Sequence, residues 1–495
     1  MSFASLNSPQ IEDVVQRFSS APNVTLIVGA GASMEASLPS WSVLIERLLG
    51  RVSTTNPLLT DEDARAEWVR RTLAREDLLA AGAIVEVLAQ DGLATLLPQE
   101  LYGAGGAGTF EPGPTAYQVA YLRRCFGSRA TLLTTNYDDL IERALLTSGF
   151  SKRDVRSYVR RRKVPASAVP VTHLHGLAGR EGSPKSLVLT EEQYHRMQRG
   201  TSWQEECVTD QLESTSCLFV GTSLTDPNLI RYLYGYKQAQ SRAHAAIFVR
   251  QSDAEGASEQ VRAAREDAAA KRWDRCGVGA VFVDHFADAA QLVYEIGYRR
   301  EAGTAYVPIA KRAERALSRI ARVALLKESP QAAFAERQIA LSKWLRETLR
   351  ATLQSAVGVD PPADEPLALA LWLLSADGRR ITGWAHSDRA HQDPTTIESI
   401  PLHAESTWAA VRAVCQGVRV EHERESEISR WRFIRAIPLV LSEPSRLPIG
   451  CLTIASTRPR SDTILATMSP ESQAILHRGL VDAVLPAFAR VASTG

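Results

Sequence analysis

The sequence predicts an α/β chain in two parts. A mostly parallel sheet with helices on both faces fills the first 300 residues, and a helical connector then leads to a smaller α+β unit. Three observations carry this. Short apolar runs rich in β-branched residues alternate with segments of helical spacing. Each of those runs ends in glycine, hydroxyl, amide or histidine residues. Past residue 366 the apolar runs lengthen and two of them follow each other directly. The expected units are 1–300, 301–358 and 359–495.

The first part is organised around residues 23–49. Val24 to Val28 is a buried strand that stops at Gly29-Ala30-Gly31-Ala32-Ser33. After Pro39, Trp41, Leu44, Ile45, Leu48 and Leu49 recur as on a helix. Glycines let an anion approach the main chain, and N–H groups near a helix start can face it. Position 34 is Met34, so the third glycine of a dinucleotide fingerprint is missing.

Pro9 to Ser20 reads as an amphipathic helix, with Ile11, Val14, Val15 and Phe18 on one face. Residues 57–101 read as helical throughout, 103–113 as a glycine-rich loop, and Pro114 to Phe126 as helix. Ala130 to Thr134 is a second strand, ending in Thr134-Thr135-Asn136-Tyr137-Asp138-Asp139 before a helix near Leu140; Asp138 or Asp139 suits its N-cap. The basic run 153–163 suits a solvated face. In Val169 to Gly176, His173 and His175 fall on one side if the segment is extended. No Cys, Asp or Glu adjoins them to complete a metal site. Residues 186–198 run from strand to helix through a capping box of Thr190 and Gln193. Cys217 to Val220, His244 to Arg250 and Ala280 to Val283 are further strands; the first opens into Gly221-Thr222-Ser223-Leu224-Thr225-Asp226-Pro227-Asn228 and a helix. In such sheets the ligand crevice lies at the carboxyl ends of the strands, where these polar clusters fall.

Bulk properties narrow the function. A chain of 495 residues exceeds one compact core. Net charge is +1, which calls for neither nucleic acid nor an acidic membrane. No segment has the length of an apolar span, and the N-terminus lacks a signal-peptide core. The six cysteines include no C-x-x-C pair, which points to reduced thiols in a cytoplasm.

Taken together, GAGAS at 29–33, TTNYDD at 134–139, HLHG at 173–176 and GTSLTDPN at 221–228 resemble the sirtuin-like NAD-consuming family. Within it they are most similar to the zinc-free branch found in bacterial antiphage defence proteins. The resemblance covers about residues 10–298 and implies a Rossmann-like sheet. The four-cysteine zinc module of protein-deacylating members is absent. Ala36 to Trp41 stands where those members carry proline-aspartate-phenylalanine-arginine. The resemblance therefore implies an NAD glycohydrolase that needs no metal.

It also implies roles. Gly29, Ala30, Gly31 and Ser33 would hold the pyrophosphate, with Ser33 adding a hydroxyl donor. Asn136 would position the nicotinamide ribose or the attacking water, because an amide both donates and accepts. Asp138 would steady the loop or contact the ribose. His175 would act as general base. Gly221, Ser223, Asp226 and Asn228 would line the adenosine half, and the strand end near Asp284 would close the adenine side.

Residues 305–356 are strongly helical, and Val359 to Pro366 reads as a linker. Leu367 to Leu374 is a strand, followed by the turn Asp377-Gly378, and Trp384 opens a more polar stretch. Thr407 to Cys415 is helical. Phe433 to Leu441 and Ile449 to Ala455 are adjacent strands, and Glu471 to Val491 closes the chain as helix. This order resembles a GAF-type sensor domain, which implies a small-molecule pocket or a dimerisation module. The expectation is an NAD hydrolase that forms nicotinamide and ADP-ribose. It would act as a defence effector, a homo-oligomer held in check by its C-terminal domain until a small-molecule or phage-derived trigger arrives. A NAD-dependent protein deacylase and a non-catalytic NAD or ADP-ribose signalling module are the alternatives.

Overall fold

The computed structural model describes residues 5–103, 110–179, 184–197, 202–236, 243–250, 258–325, 331–358, 364–403, 405–424, 429–441 and 447–493. Seven strands form the first sheet: β1 (Val24–Val28), β2 (Ala130–Thr134), β3 (Val155–Tyr158), β4 (Val169–His173), β5 (Ser216–Val220), β6 (His244–Val249) and β7 (Val278–Val283). Their order is β3-β4-β2-β1-β5-β6-β7, and every pairing is parallel. β1 is central and fully buried, as its uninterrupted apolar sequence requires. Alternation splits its side chains between two layers: Val24, Leu26 and Val28 join one apolar cluster and Ile27 the other. Helices Pro9–Ser20, Pro114–Phe126 and Phe286–Ala302 pack on the first side. Trp203–Ser214, Pro227–Gly235 and Glu259–Asp274 cover the second.

The second sheet holds β8 (Leu367–Leu374), β9 (Arg380–His386), β10 (Ser399–Pro401), β11 (Val420–Glu423), β12 (Phe433–Val440) and β13 (Pro448–Ser456). Its order is β10-β9-β8-β13-β12-β11, antiparallel throughout. Helices Ile309–Leu325 and Gln331–Val357 connect the two parts. Helix Ala409–Gln416 packs on β12 and β13 on one side and on helix Phe286–Ala302 on the other. There Cys415 Sγ lies 3.6 Å from His285 Nε2. One continuous apolar cluster runs from Leu26 through Ile296, Leu317 and Leu345 to Leu452.

Most elements form where the sequence places them, with four departures. Residues 57–101 are three helices, Glu62–Arg75, Leu78–Ala89 and Leu93–Tyr102, because Asp61 and Asp77 each accept backbone N–H bonds and start a helix afresh. The expected strand at 186–190 does not form; only the bridge Leu177–Lys185 precedes the helix Glu191–Arg196. β4 ends at His173, so His175 lies beyond the strand and the alternation that would align the two histidines does not apply. Trp384 is buried inside β9 rather than opening a polar stretch, its ring edge-on to Phe334 at 6.0 Å. The glycine-rich loop 103–113 and the linker lie largely outside the described residues.

No single helix among the described residues is long and apolar enough to cross a membrane.

Candidate functional site

Four parallel strands deliver their C-terminal ends to one rim, and main-chain bonds tie those ends together. Gly29 N donates to Val220 O at 2.9 Å, and Gly31 N to Gly221 O at 2.7 Å. Thr135 N donates to Val28 O at 3.1 Å, and Leu174 N to Thr134 O at 2.8 Å. The loops after β1, β2, β4 and β5 are thus one hydrogen-bonded layer. The glycines have a reason within it. A Cβ on Gly29 would stand 2.7 Å from Gly221 O, one on Gly31 2.9 Å from Gly221 Cα, and Gly221 itself has φ +67°. Gly29 and Gly31 let two loops touch. A single-turn helix, Gly31–Met34, follows at once, and its N–H groups are spent inside the fold: Gly31 N on Gly221 O, Ala32 N on Gly29 O and Ser33 N on Ala30 O.

Behind this layer lies a buried polar cluster. The Asn136 amide donates to Gly29 O at 3.0 Å and to Ser33 Oγ at 2.7 Å. Ser33 Oγ in turn donates to Asp138 Oδ2 at 2.6 Å, and Asp138 Oδ1 accepts from Leu140 N at 3.1 Å. All three side chains are buried. The Ser33 proton is committed to Asp138, so what Ser33 offers here is orientation of its neighbours. Burial pushes the Asp138 carboxyl up, against the pull of Ser33, Leu140 N and the nearby His173. Asn136 Oδ1 is buried and has no partner among the described residues.

His173 lies beneath Asn136. Its Nδ1–H donates to the Asn136 carbonyl at 3.0 Å and its Nε2–H to Glu142 Oε1 at 2.8 Å. Two acceptors call for two ring protons. Burial opposes that charge, but the Glu142 carboxylate and the Asn136 carbonyl outweigh it, and the imidazole is raised above its ordinary value. Ser157 also donates to Glu142.

His175 belongs to a second group. Its Nε2 is 3.3 Å from Asp226 Oδ2, which also accepts from Tyr194 Oη at 2.6 Å. Asp226 Oδ1 caps the helix Pro227–Gly235 by accepting from Leu229 N at 2.8 Å. The Tyr194 ring stands edge-on to His175, centroids 5.5 Å apart. Tyr137 joins the two groups: it follows Asn136, its hydroxyl donates to Val188 O at 2.7 Å, and Val188 N donates to His175 O at 2.9 Å. Burial raises both phenols, helped by the Asp226 charge, so they stay protonated donors.

Of the residues expected from sequence, Gly29, Ser33, Asn136 and Asp138 are directly bonded, and Ala30, Gly31 and Gly221 pack in the same layer. Asp226 meets His175. Asn228 is buried, its amide 3.6 Å from Met197 Sδ and its Oδ1 without a partner. Ser223 is at the surface, bonded to Thr225 Oγ1 at 2.7 Å. Asp284 lies apart, paired with Arg250 at 2.7 Å. Sequence reasoning missed Glu142, Tyr137, Tyr194 and Glu35. Glu35 caps the helix Pro114–Phe126, accepting from Thr115 N and Thr115 Oγ1, each at 2.7 Å. An acid inside an apolar stretch, as in Leu140-Ile141-Glu142, was the available signal for Glu142. Among the described residues no group of three or more His, Cys, Asp or Glu is arranged to hold a metal ion.

A model of the SIR2-like domain matches residues 130–273. That span contains the TTNYDD, HLHG and GTSLTDPN segments. The chain is 26% identical over 286 residues to the NAD(+) hydrolase ThsA of Acinetobacter baumannii, covering 56% of this chain and 53% of that protein. The chain therefore spans about half the length of the curated relative it matches. Among solved structures, a SIR2 homologue in complex with NAD aligns over 59% of this chain and 93% of its own, at 13% identity and a TM-score of 0.29. A GAF sensor protein from Burkholderia vietnamiensis aligns over 33% of this chain and 98% of its own, at 13% identity and a TM-score of 0.19. The match to the SIR2-like domain thus takes in three of the four loops at the rim.

Proposed function

We propose that the chain hydrolyses NAD at the nicotinamide–ribose bond, giving nicotinamide and ADP-ribose. The observation that carries this reading is Asn136. Its amide is fixed by Gly29 O and Ser33 Oγ while its buried Oδ1 has no donor. A ribose hydroxyl or a water supplies such a donor, and a buried acceptor without one is uncommon. Asn228 Oδ1 is in the same condition.

In the reaction the C–N bond breaks and its electron pair leaves with the nicotinamide, whose ring charge is cancelled. Oxocarbenium character develops on the ribose, and buried acceptors stabilise it. Water then adds to that carbon. His175 takes the water proton, and Asp226, 3.3 Å from Nε2, steadies the imidazolium that results. Asn136 Oδ1 orients the water or the ribose hydroxyl.

The similarity to a named NAD(+) hydrolase supports the reaction. Its setting is part of the proposal: a cytoplasmic, homo-oligomeric defence effector, with units at 1–300, 301–358 and 359–495, silent until its C-terminal part receives a trigger. The test is nicotinamide release from NAD, followed in cells expressing the protein and with purified full-length chain. Asn136→Ala and His175→Ala should each lower release about 10²- to 10⁴-fold while circular dichroism stays unchanged. Undiminished release in both variants overturns the reading. Release that requires an acylated peptide assigns deacylation instead.

A further inference from the structure

At the β11–β12 edge of the second sheet, cations gather beyond the acids that balance them. Arg435, on β12, is 0% exposed. Its Nε and Nη2 donate to Glu421 Oε1 at 3.1 and 2.6 Å. Arg460 Nη2 lies 3.0 Å from the other oxygen of the same carboxylate. One charge thus answers two guanidinium groups. The remaining donor of Arg435, Nη1, is buried and has no partner among the described residues. Buried donors are nearly always satisfied, so this one calls for an acceptor that the described residues do not provide.

The helix Pro470–Ser493 packs against β12 at this place. Arg419 Nη1 donates to Gln473 Oε1 at 3.2 Å. His477 stands four residues on, one turn along the same helical face. Its Nε2 is also buried and also without a partner. Burial, with the charges of Arg435 and Arg419 close by, pushes the imidazole down to about 3. His477 is therefore neutral and has room to gain a proton. Glu423, which accepts from Arg460 N at 2.9 Å, is the other acid at the edge among the described residues. Arg419 and Arg460 are exposed, whereas Arg435 is buried.

We propose that this locus binds a small phosphate-bearing ligand, with Arg419 and Arg460 meeting the anion at the surface and Arg435 Nη1 and His477 Nε2 taking its inner oxygens. Donors from four side chains that feel one another's charge suit a tetrahedral oxyanion better than a planar carboxylate. The anion balances the excess cation. It also offsets the charges of Arg435 and Arg419 at His477, so binding moves the imidazole up from its depressed value while burial still holds it down. The same helix packs on both connector helices, Ile309–Leu325 and Gln331–Val357. A trigger of this chemistry would act from here toward the first sheet, a consequence that rests on the NAD reading; the binding itself does not.

The test uses the full chain and two probes, inorganic phosphate and sulfate, in isothermal titration calorimetry at about pH 6 and about pH 8. Sulfate does not change its own charge in that range. Both probes should bind at one saturable site, at least about tenfold more weakly to Arg419→Gln and Arg435→Gln. Sulfate binding should also weaken in His477→Gln, which loses the inner imidazole donor. Arg419 is exposed, so its variant reports even if Arg435→Gln does not fold. No saturable binding overturns the proposal. Equal binding to the native chain, Arg419→Gln and His477→Gln marks an adventitious ion only and overturns it equally. NAD cleavage is read in a separate assay, so failure of one assignment is not failure of the other.

Discussion

Asn136 and Ser33, 103 residues apart in the chain, share a 2.7 Å hydrogen bond that sets which way the Asn136 amide points. With Nδ2 held by Ser33 and Gly29, Oδ1 is left without a partner among the described residues. Ser33 completes the arrangement by donating to Asp138 at 2.6 Å.

Ser33→Ala removes both bonds at once and leaves a buried carboxyl short of a donor. The expected loss is about 1–3 kcal/mol in urea unfolding. Nicotinamide release should fall more than about tenfold, because the amide can then rotate. Release at the native rate in a stably folded Ser33→Ala would show that the amide does not need this support.

Gly31→Ala tests what the glycines are for. Its Cβ would meet Gly221 Cα at 2.9 Å, main chain against main chain, with no flexible side chain to yield. We expect a destabilisation of about 1–3 kcal/mol with or without NAD. A variant of native stability that only weakens NAD binding would place the demand for glycine at the ligand instead.

The His173–Glu142 pair predicts a pH dependence. The folded imidazole is raised above its unfolded value of about 6.5, so the folded state holds the proton more tightly. That stabilisation is fully present below about pH 6.5 and is lost as pH rises through the folded value. Urea midpoints measured from pH 6 upward should therefore fall for the native chain, and Glu142→Gln should flatten the slope. An identical slope in Glu142→Gln would remove this pair from the account.

Glu35→Gln should cost about 1–2 kcal/mol, since a charged acceptor at the first turn of Pro114–Phe126 becomes a neutral one. Glu35 sits two residues past Ser33, so nicotinamide release should fall as well. Thermal unfolding and the NAD assay on the same preparation check both.

How far the sequence could be read depended on range. Pro9–Ser20 and Leu367–Leu374 were legible to the residue, because capping, proline and apolar period act within a few positions. β3, β10 and β11 were not, since short edge strands take their form from a partner. The same division holds at the site. Gly29, Asn136 and His175 announced themselves by strand-end motifs. Glu142 under His173 and Tyr194 beside His175 are pairings across the fold, and local pattern carries no trace of them.

The apolar mass that underlies both sheets has a practical result. The connector helices and the helix Ala409–Gln416 are part of the wall behind the first sheet, so the chain should melt in one step rather than two. Cutting after residue 300 would strip that wall and leave a raw greasy flank in water. A dead fragment would then speak of injury, not of a missing signal. Questions of control in this protein have to be put to the intact chain, one side chain at a time.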